Sequence, residues 1–428
     1  MINIEYSKLI PKVIVEKNMM NWGVIIMIKR EMYLKQINGA MDSDYVKVFI
    51  GIRRSGKTEL MISTINELKQ KGVPDENIIY VSLEDPNYYD ITSYTKLDEV
   101  IYSLAKDVEG KIYIFVDEIQ QVNKWEKSIN GYRKVLNCDI YITGSNSKLL
   151  SSELSTFLAG RYLEIKVYPF SFNEVIQYKK EEEGLDIDEK EIFREYLIYG
   201  GMPGLLTIKE NMKVNALKDM YNSIIVDDIL TRHNIDKVDL FKRFVRYLIN
   251  STAQTFSKKS IANYLKNENV KLEPTTINNY TDYLQEALFI NRLRRKDLIG
   301  KKEMSTKEKY YLTDQGFHQA LIDENTNWIP RILENIVYME LLRRGYDIRV
   351  GKVYKKEIDF ECKKKNSIIY IQVSYLLTSE KTIEREFSPL ETIRDNYPKY
   401  VLSLDEFNMS RNGIIHMNII DFLKNEDI

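Results

Sequence analysis

Between residues 29 and 170 short, almost uninterrupted apolar runs alternate with amphipathic stretches. "YVKVFIG", "ENIIYVSLEDP", "KIYIFVDEIQ" and "NCDIYITG" read as strands, and Ile112 to Val116 form a run with no polar residue at all. A strand of that kind is buried on both faces, as parallel sheets require. The helical stretches fall between the strands. This order predicts an α/β core, a parallel five-stranded sheet with flanking helices over 29–170. Residues 1–28 stand before the pattern, and two readings fit them: an extension, or a mis-set start codon with Met27 the first residue.

The pattern changes after residue 170. In 171–228 helical runs ("SFNEVIQYKK", "EIFREYLIYGGMPGLL") flank a charged linker. Gly200, Gly201 and Pro203 break the second helix and suit a hinge, so a helical lid over a bound nucleotide is expected here. In 229–326, Ile261, Tyr264 and Leu265 pattern one helix, and Ile277, Tyr280, Tyr283, Leu284 and Leu288 a second. A strand "FINRLRR", a basic loop and a returning strand "KYYLTDQG" follow, which is winged-helix order. The last stretch, 327–428, opens with the helix "PRILENIVYMELLRRG", then "DIRVGKV", then the hairpin "EIDFECKKKNSIIYIQVSY".

Bulk composition narrows the picture only in part. The chain has 428 residues, 44% hydrophobic and 29% charged, more than one ordinary core can use. Lys+Arg (62) and Asp+Glu (63) cancel, so a nucleic-acid partner would need a local basic face. Cys138 and Cys362 form no close motif, which argues for a reducing compartment. No apolar run approaches a membrane span. A cytoplasmic protein is expected.

The first strand ends in Gly51-Ile52-Arg53-Arg54-Ser55-Gly56-Lys57-Thr58. This is a full G-x-x-x-x-G-K-[ST] loop between strand and helix. Its amides would surround the β-phosphate, Lys57 would bridge β- and γ-phosphates, and Thr58 would ligate Mg²⁺. Arg53 and Arg54 would grip phosphate or a carboxylate such as Glu84 or Asp85. Asp117 closes the all-apolar strand and would hold Mg²⁺ through water, while Glu118 would orient the attacking water. Thr143, Ser145 and Asn146 stand where a γ-phosphate sensor is kept, with Ser145 or Asn146 favoured over simple helix capping. Arg161 would neutralise charge on the γ-phosphate, in cis or across a subunit interface, against the alternative of a surface ion pair. "NKWE" at 123–126 lies too close to the acidic strand to read guanine, leaving ATP.

"MIKREMYLKQI" with "KVFIGIRRSGKTELM", "IYIFVDEIQ" with "WEK", "ITGSNSKLLSSE", "GRYLEIKVYPFSFNE", "YGGMPG" and "GIIHMNIIDFL" together resemble a group of bacterial and archaeal AAA-type ATPases. Their C-terminal domain has no assigned function. The resemblance runs from Met27 to the end and leaves residues 1–26 outside. It implies an ATPase domain, a winged-helix-like region and a fold similar to PD-(D/E)XK nucleases.

In that nuclease fold a helical Glu, a strand-end Asp and a Glu-x-Lys converge on a divalent metal. Glu334 and Asp359 match, but Gln372 and Ser374 stand where Glu and Lys belong. Gln brings no charge to a metal, and Ser374 cannot supply a cation to developing negative charge. Glu361, sharing the face of Asp359 at period two, is the candidate substitute. A degenerate nuclease fold kept for contact with nucleic acid or protein is the expectation.

The second helix of the winged-helix pair offers no basic face. Positive charge gathers in the wing, at Arg292, Arg294, Arg295, Lys296, Lys301 and Lys302. Duplex binding and docking to protein both remain open. The chain as a whole reads as a Mg-ATP-dependent ATPase that rearranges C-terminal modules on a nucleic-acid or protein partner, as an oligomer if Arg161 acts in trans. An ATP-dependent nuclease and a non-hydrolysing ATP-gated scaffold are the alternatives.

Overall fold

The computed structural model describes residues 28–145, 158, 160–184, 187–256, 260–261, 273–322 and 328–425. Asn146 and most of the first winged-helix-pair helix lie outside the described residues. The chain divides after Val167 into two units.

The first unit is built on five parallel strands: β1 (Val46–Ile50), β2 (Ile78–Ser82), β3 (Ile112–Asp117), β4 (Cys138–Gly144) and β5 (Tyr162–Lys166). Their order is β2-β3-β4-β1-β5, with every neighbouring pair parallel. The apolar runs are continuous because alternate side chains enter different cores. Val48, Ile114 and Val116 pack with helices α3 (Tyr94–Ala105) and α4 (Trp125–Val135), through Leu97, Ile101, Ile129 and Tyr132. Phe49, Phe115 and Tyr141 pack with α1 (Glu31–Ala40) and α2 (Lys57–Gln70), through Leu34, Ile37, Leu60 and Ile65. This is a P-loop ATPase core, with β4 inserted between the loop-bearing strand and the acidic one.

The second unit begins with α5 (Phe172–Glu183), α6 (Glu189–Tyr199) and α7 (Glu210–Ser223). Ser171 and Glu174 close a reciprocal capping box on α5. Asp188 caps α6 by accepting from the amides of Lys190 and Glu191. Helices α8 (Val238–Asn250) and α9 (Pro274–Glu286) follow. The strands are β6 (Thr255–Phe256), β7 (Ile290–Asp297), β8 (Lys302–Leu312), β9 (Asp347–Val353), β10 (Lys356–Lys364), β11 (Ser367–Val373), β12 (Lys399–Ser403) and β13 (Ile415–Asn418).

These strands form one sheet, β13-β12-β11-β10-β9-β7-β8-β6. The boundary expected at 326/327 therefore falls inside a sheet. Arg295, Lys296 and Asp297 of β7 pair in parallel with Val350, Gly351 and Lys352 of β9, so the "wing" hairpin continues the C-terminal sheet. Helix α10 (Ile329–Arg343) is buried along most of its length. Its Asn335 side chain accepts from Leu312 N and donates to Leu312 O (2.8 and 2.9 Å), which locks it to β8. Tyr338 stacks on Tyr311 of the same strand. On the sheet's other partner, α11 (Glu380–Glu391), Phe387 and Leu390 pack with Ile358, Tyr370 and Val401.

The glycines of "YGGMPG" are not a free hinge within this unit. Gly201 N donates to Asp314 Oδ2 and Gly316 N to Asp314 Oδ1, each at 2.8 Å. A Cβ on Gly201 would overlap the Phe170 carbonyl oxygen. Close backbone approach to a buried carboxylate is what requires glycine here.

Candidate functional site

The phosphate loop turns out of β1 and ends at Gly56, whose φ of +91° starts α2. Gly51 permits the tight return: a Cβ there would overlap Val167 O and meet Ser55 Oγ. Lys57 Nζ donates to the carbonyls of Gly51 (3.2 Å) and Ile52 (3.4 Å) and lies 4.0 Å from Glu118 Oε1. Thr58 Oγ1 donates to Asp117 Oδ2 at 2.9 Å. Ile52 and Ser55 are buried, Arg53 is half-buried and Arg54 is exposed. Ser55 Oγ is a buried hydroxyl with no hydrogen-bond partner. An orphaned buried hydroxyl in the loop, beside Lys57 and the Thr58–Asp117 pair, is what a phosphate oxygen would satisfy, so these residues fit Mg-ATP.

Burial raises the Asp117 carboxyl to about 6, with the Glu118 charge adding and hydrogen bonds from Thr143 and Thr58 opposing. Thr143 Oγ1 donates to Asp117 Oδ1 and accepts from the Glu118 amide (2.8 Å). It therefore ties the Asp117 carboxylate to the Glu118 backbone. Ser145 Oγ donates to Glu118 Oε2 at 3.2 Å, and Gln120 Nε2 also donates to that oxygen. Glu118 itself has a left-handed backbone, φ 56°, a strained placement for a residue with a side chain. Sequence reasoning missed Gln120, although it sits in the "DEIQQ" run, and it missed Arg30. Arg30 is buried, donates to the Ser55 carbonyl at 3.2 Å and stacks over Tyr33.

Arg161 is not brought to this site in its own chain. Its carbonyl accepts from Val46 N, so it lies at the start of β1, whereas the loop leaves the other end. Five residues of strand separate the two, roughly 16 Å. Its guanidinium faces Asp44 at 3.4 Å and is largely exposed. The ion-pair alternative describes its setting, and a cis role is excluded by distance.

A second charged cluster lies in the C-terminal sheet. Glu334 of α10 and Asp359 of β10 lie together, on a lysine that the expected motif did not contain. Lys309 Nζ of β8 is 2.8 Å from Glu334, 3.0 Å from Glu357 and 3.3 Å from Asp359. Glu357, not Glu361, is the third acid. Glu357 lies opposite Lys352 and Glu361 opposite Arg349, with a register shift between them. Residues 349 and 352 face opposite sides of β9, so the irregularity in β10 sends Glu361 to the other face. There Glu361 pairs with Lys296 at 2.6 Å.

Gln372 donates to Glu386 of α11 at 2.9 Å and accepts from Asp359 N at 3.3 Å. It is thereby engaged as an amide spacer. Ser374 is buried at the end of the strand. A cleft of about 370 Å³ opens beside the cluster, lined by Lys356, Gln372, Arg385 and Glu386 among others. Burial raises the carboxyls of Glu334 and Asp359, with Lys309 opposing. For Lys309 burial works against the charge, and the three carboxylates outweigh it, so its proton is held more tightly than usual.

Four of the wing's basic residues, Lys296 included, are ion-paired along the sheet, although Arg292 and Arg294 stay exposed. Arg292 chelates Glu308 (2.6 and 2.5 Å), Arg295 pairs with Glu357 (2.9 Å) and Arg294 faces Glu303 (3.7 Å). Lys301 and Lys302 stay exposed.

Residues 43–176 match the family model of an AAA domain, and residues 190–327 match that of a domain of unknown function. An uncharacterized protein of Haemophilus influenzae is 36% identical over 93% of this chain and 98% of its own length. An uncharacterized protein of Methanocaldococcus jannaschii is 32% identical, covering 85% of this chain and 81% of its own. Among solved structures, a Walker-type ATPase of Pyrococcus abyssi aligns over 69% of this chain and 95% of its own. Its identity is 18% and its TM-score 0.45.

Proposed function

The chain belongs to the AAA-domain P-loop ATPase family that its Haemophilus influenzae relative represents, and from that premise we propose that it hydrolyses ATP at the loop–β3 junction. When bound with ATP, Mg²⁺ neutralises charge on the phosphate oxygens. Thr58 and Asp117 are the residues that would hold it. The loop amides and Lys57 bind the phosphates, and Ser55 Oγ gains the partner it lacks. Glu118 accepts a hydrogen bond from the attacking water and aims it at the γ-phosphorus, while Ser145 and Gln120 fix the carboxylate's orientation.

The observation that carries this reading is the disposition of the acidic pair. Asp117 is committed to Thr58 and Thr143, leaving Glu118 supported on one oxygen and 4.0 Å from Lys57. Such a division of labour between adjacent carboxylates suits hydrolysis better than nucleotide binding alone, which would not need Glu118 oriented. Steady-state phosphate release by wild type and Glu118→Gln, beside equilibrium ATP binding, tests it. Loss of turnover with binding retained is expected; unchanged turnover would refute the assignment.

Hydrolysis then serves to rearrange the C-terminal unit on a macromolecular partner. The ion-paired wing argues against duplex readout through Arg292, Arg295 and Lys296, and supports a protein partner. ATP turnover that rises with added DNA would reverse that preference.

A further inference from the structure

Lys309 stands where three carboxylate oxygens converge from a helix and a strand. Such an all-oxygen donor set, gathered from rigid elements, is what a divalent cation takes. The remaining polar contacts close the cluster further. Asp359 Oδ2 accepts from Val373 N at 2.9 Å, Glu357 Oε2 pairs with Arg295 at 2.9 Å, and Glu334 Oε1 also accepts from Tyr311 Oη at 2.7 Å. Lys309 is only 4% exposed, so its ammonium does not trade places freely with ions in solution.

We propose that Lys309 is the built-in counter-cation of this acidic cluster, occupying the position a divalent metal would need and fastening the β7–β8 hairpin to α10 and β10. Tethering decides the competition. A side chain ordered by its own strand loses little freedom on joining the acids, whereas a free ion must shed water and translational freedom. The carboxylates stand about 3 Å from nitrogen, and metal–oxygen bonds of roughly 2.0–2.6 Å would need only a small inward shift. Removing the ammonium should therefore convert a closed ionic joint into a metal site. The cation of this cluster is covalently part of the chain.

The test is Mn²⁺ binding, followed by the electron paramagnetic resonance of free Mn²⁺, on full-length protein carrying Asp117→Asn so that the nucleotide site lacks its carboxylate. This protein is expected to leave Mn²⁺ free. Adding Lys309→Met should create one bound equivalent, lost again when Asp359→Asn is added. Adding Lys309→Arg instead should create none. Where Lys309→Met does not fold in the absence of metal, Mn²⁺ must restore a cooperative melt. The proposal is overturned if the Lys309-containing protein binds an equivalent that Asp359→Asn removes. It is equally overturned if Lys309→Met neither takes up Mn²⁺ nor is rescued by it.

Discussion

Two lysines among carboxylates mark the two halves of this molecule, and they are held differently. Lys57 rests on the neutral carbonyl oxygens of Gly51 and Ile52, with the nearest Glu118 oxygen at 4.0 Å. Lys309 is buried against three carboxylates at 2.8–3.3 Å. Carbonyl dipoles can be outbid by a polyphosphate, since a charged acceptor binds an ammonium about twice as strongly as a neutral one. Three carboxyl groups converging on one buried ammonium hold it far more firmly. The first arrangement is poised to give its cation to a substrate, and the second keeps its cation for the fold.

The largest expected effect lies on the chemical side of this contrast. Glu118→Gln should lower kcat for ATP hydrolysis by about 10²–10⁴ with ATP affinity little changed, read by phosphate release and nucleotide titration. Lys309→Met probes the structural side. It leaves buried carboxylates uncompensated and should destabilise the second unit by about 3–5 kcal/mol, measured by denaturant unfolding. Neutralising the acids as well (Glu334→Gln, Glu357→Gln, Asp359→Asn) should recover much of that loss. Lys57→Met, with no comparable set of buried acids to abandon, should cost far less stability while abolishing ATP binding.

Asp117 gives a pH test of the same contrast. Its carboxyl is raised from an ordinary 3.8 to about 6, chiefly by burial. The folded protein therefore holds this proton more tightly than the unfolded chain does. Its contribution to stability is complete below pH 3.8 and is lost as pH rises to about 6. Asp117→Asn should remove that slope and make the nucleotide-free first unit more stable at neutral pH by about 1–3 kcal/mol, at the cost of activity. Conversely, Mg²⁺-dependent ATP binding by wild type should weaken as pH falls through about 6, where the carboxylate takes up its proton.

The smallest effect belongs to Arg161. On an exposed pair with Asp44 at the far end of β1, Arg161→Ala should shift stability by no more than about 0.5 kcal/mol. It should also leave turnover of dilute protein within about twofold. A large loss that grows with protein concentration would instead mean that another copy uses it.

Contiguity governed what could be read beforehand. The phosphate loop, Asp117 and Glu118 follow from short runs whose chemistry is carried by residues adjacent in sequence. The parallel five-stranded sheet followed from the apolar runs in the same way. Thr143 was visible as one of three polar candidates, but only pairing of β4 with β3 showed that it bridges Asp117 and the Glu118 amide. The position of Arg161 was not legible, because following a helix does not say which end of the sheet a residue reaches.

By itself the sequence determined the phosphate-loop motif and the parallel core, because local spacing and continuous apolar runs encode them, whereas the meeting of Glu334 with Asp359 was only what the resemblance implied. Tertiary structure alone decided which cation and which third acid complete the C-terminal cluster. Lys309 comes from a strand 50 positions before Asp359, brought near by the β7–β9 pairing, and an irregularity in β10 exchanges Glu361 for Glu357. Pairing register and strand irregularity depend on the summed packing of the whole sheet, so no short stretch of residues carries them.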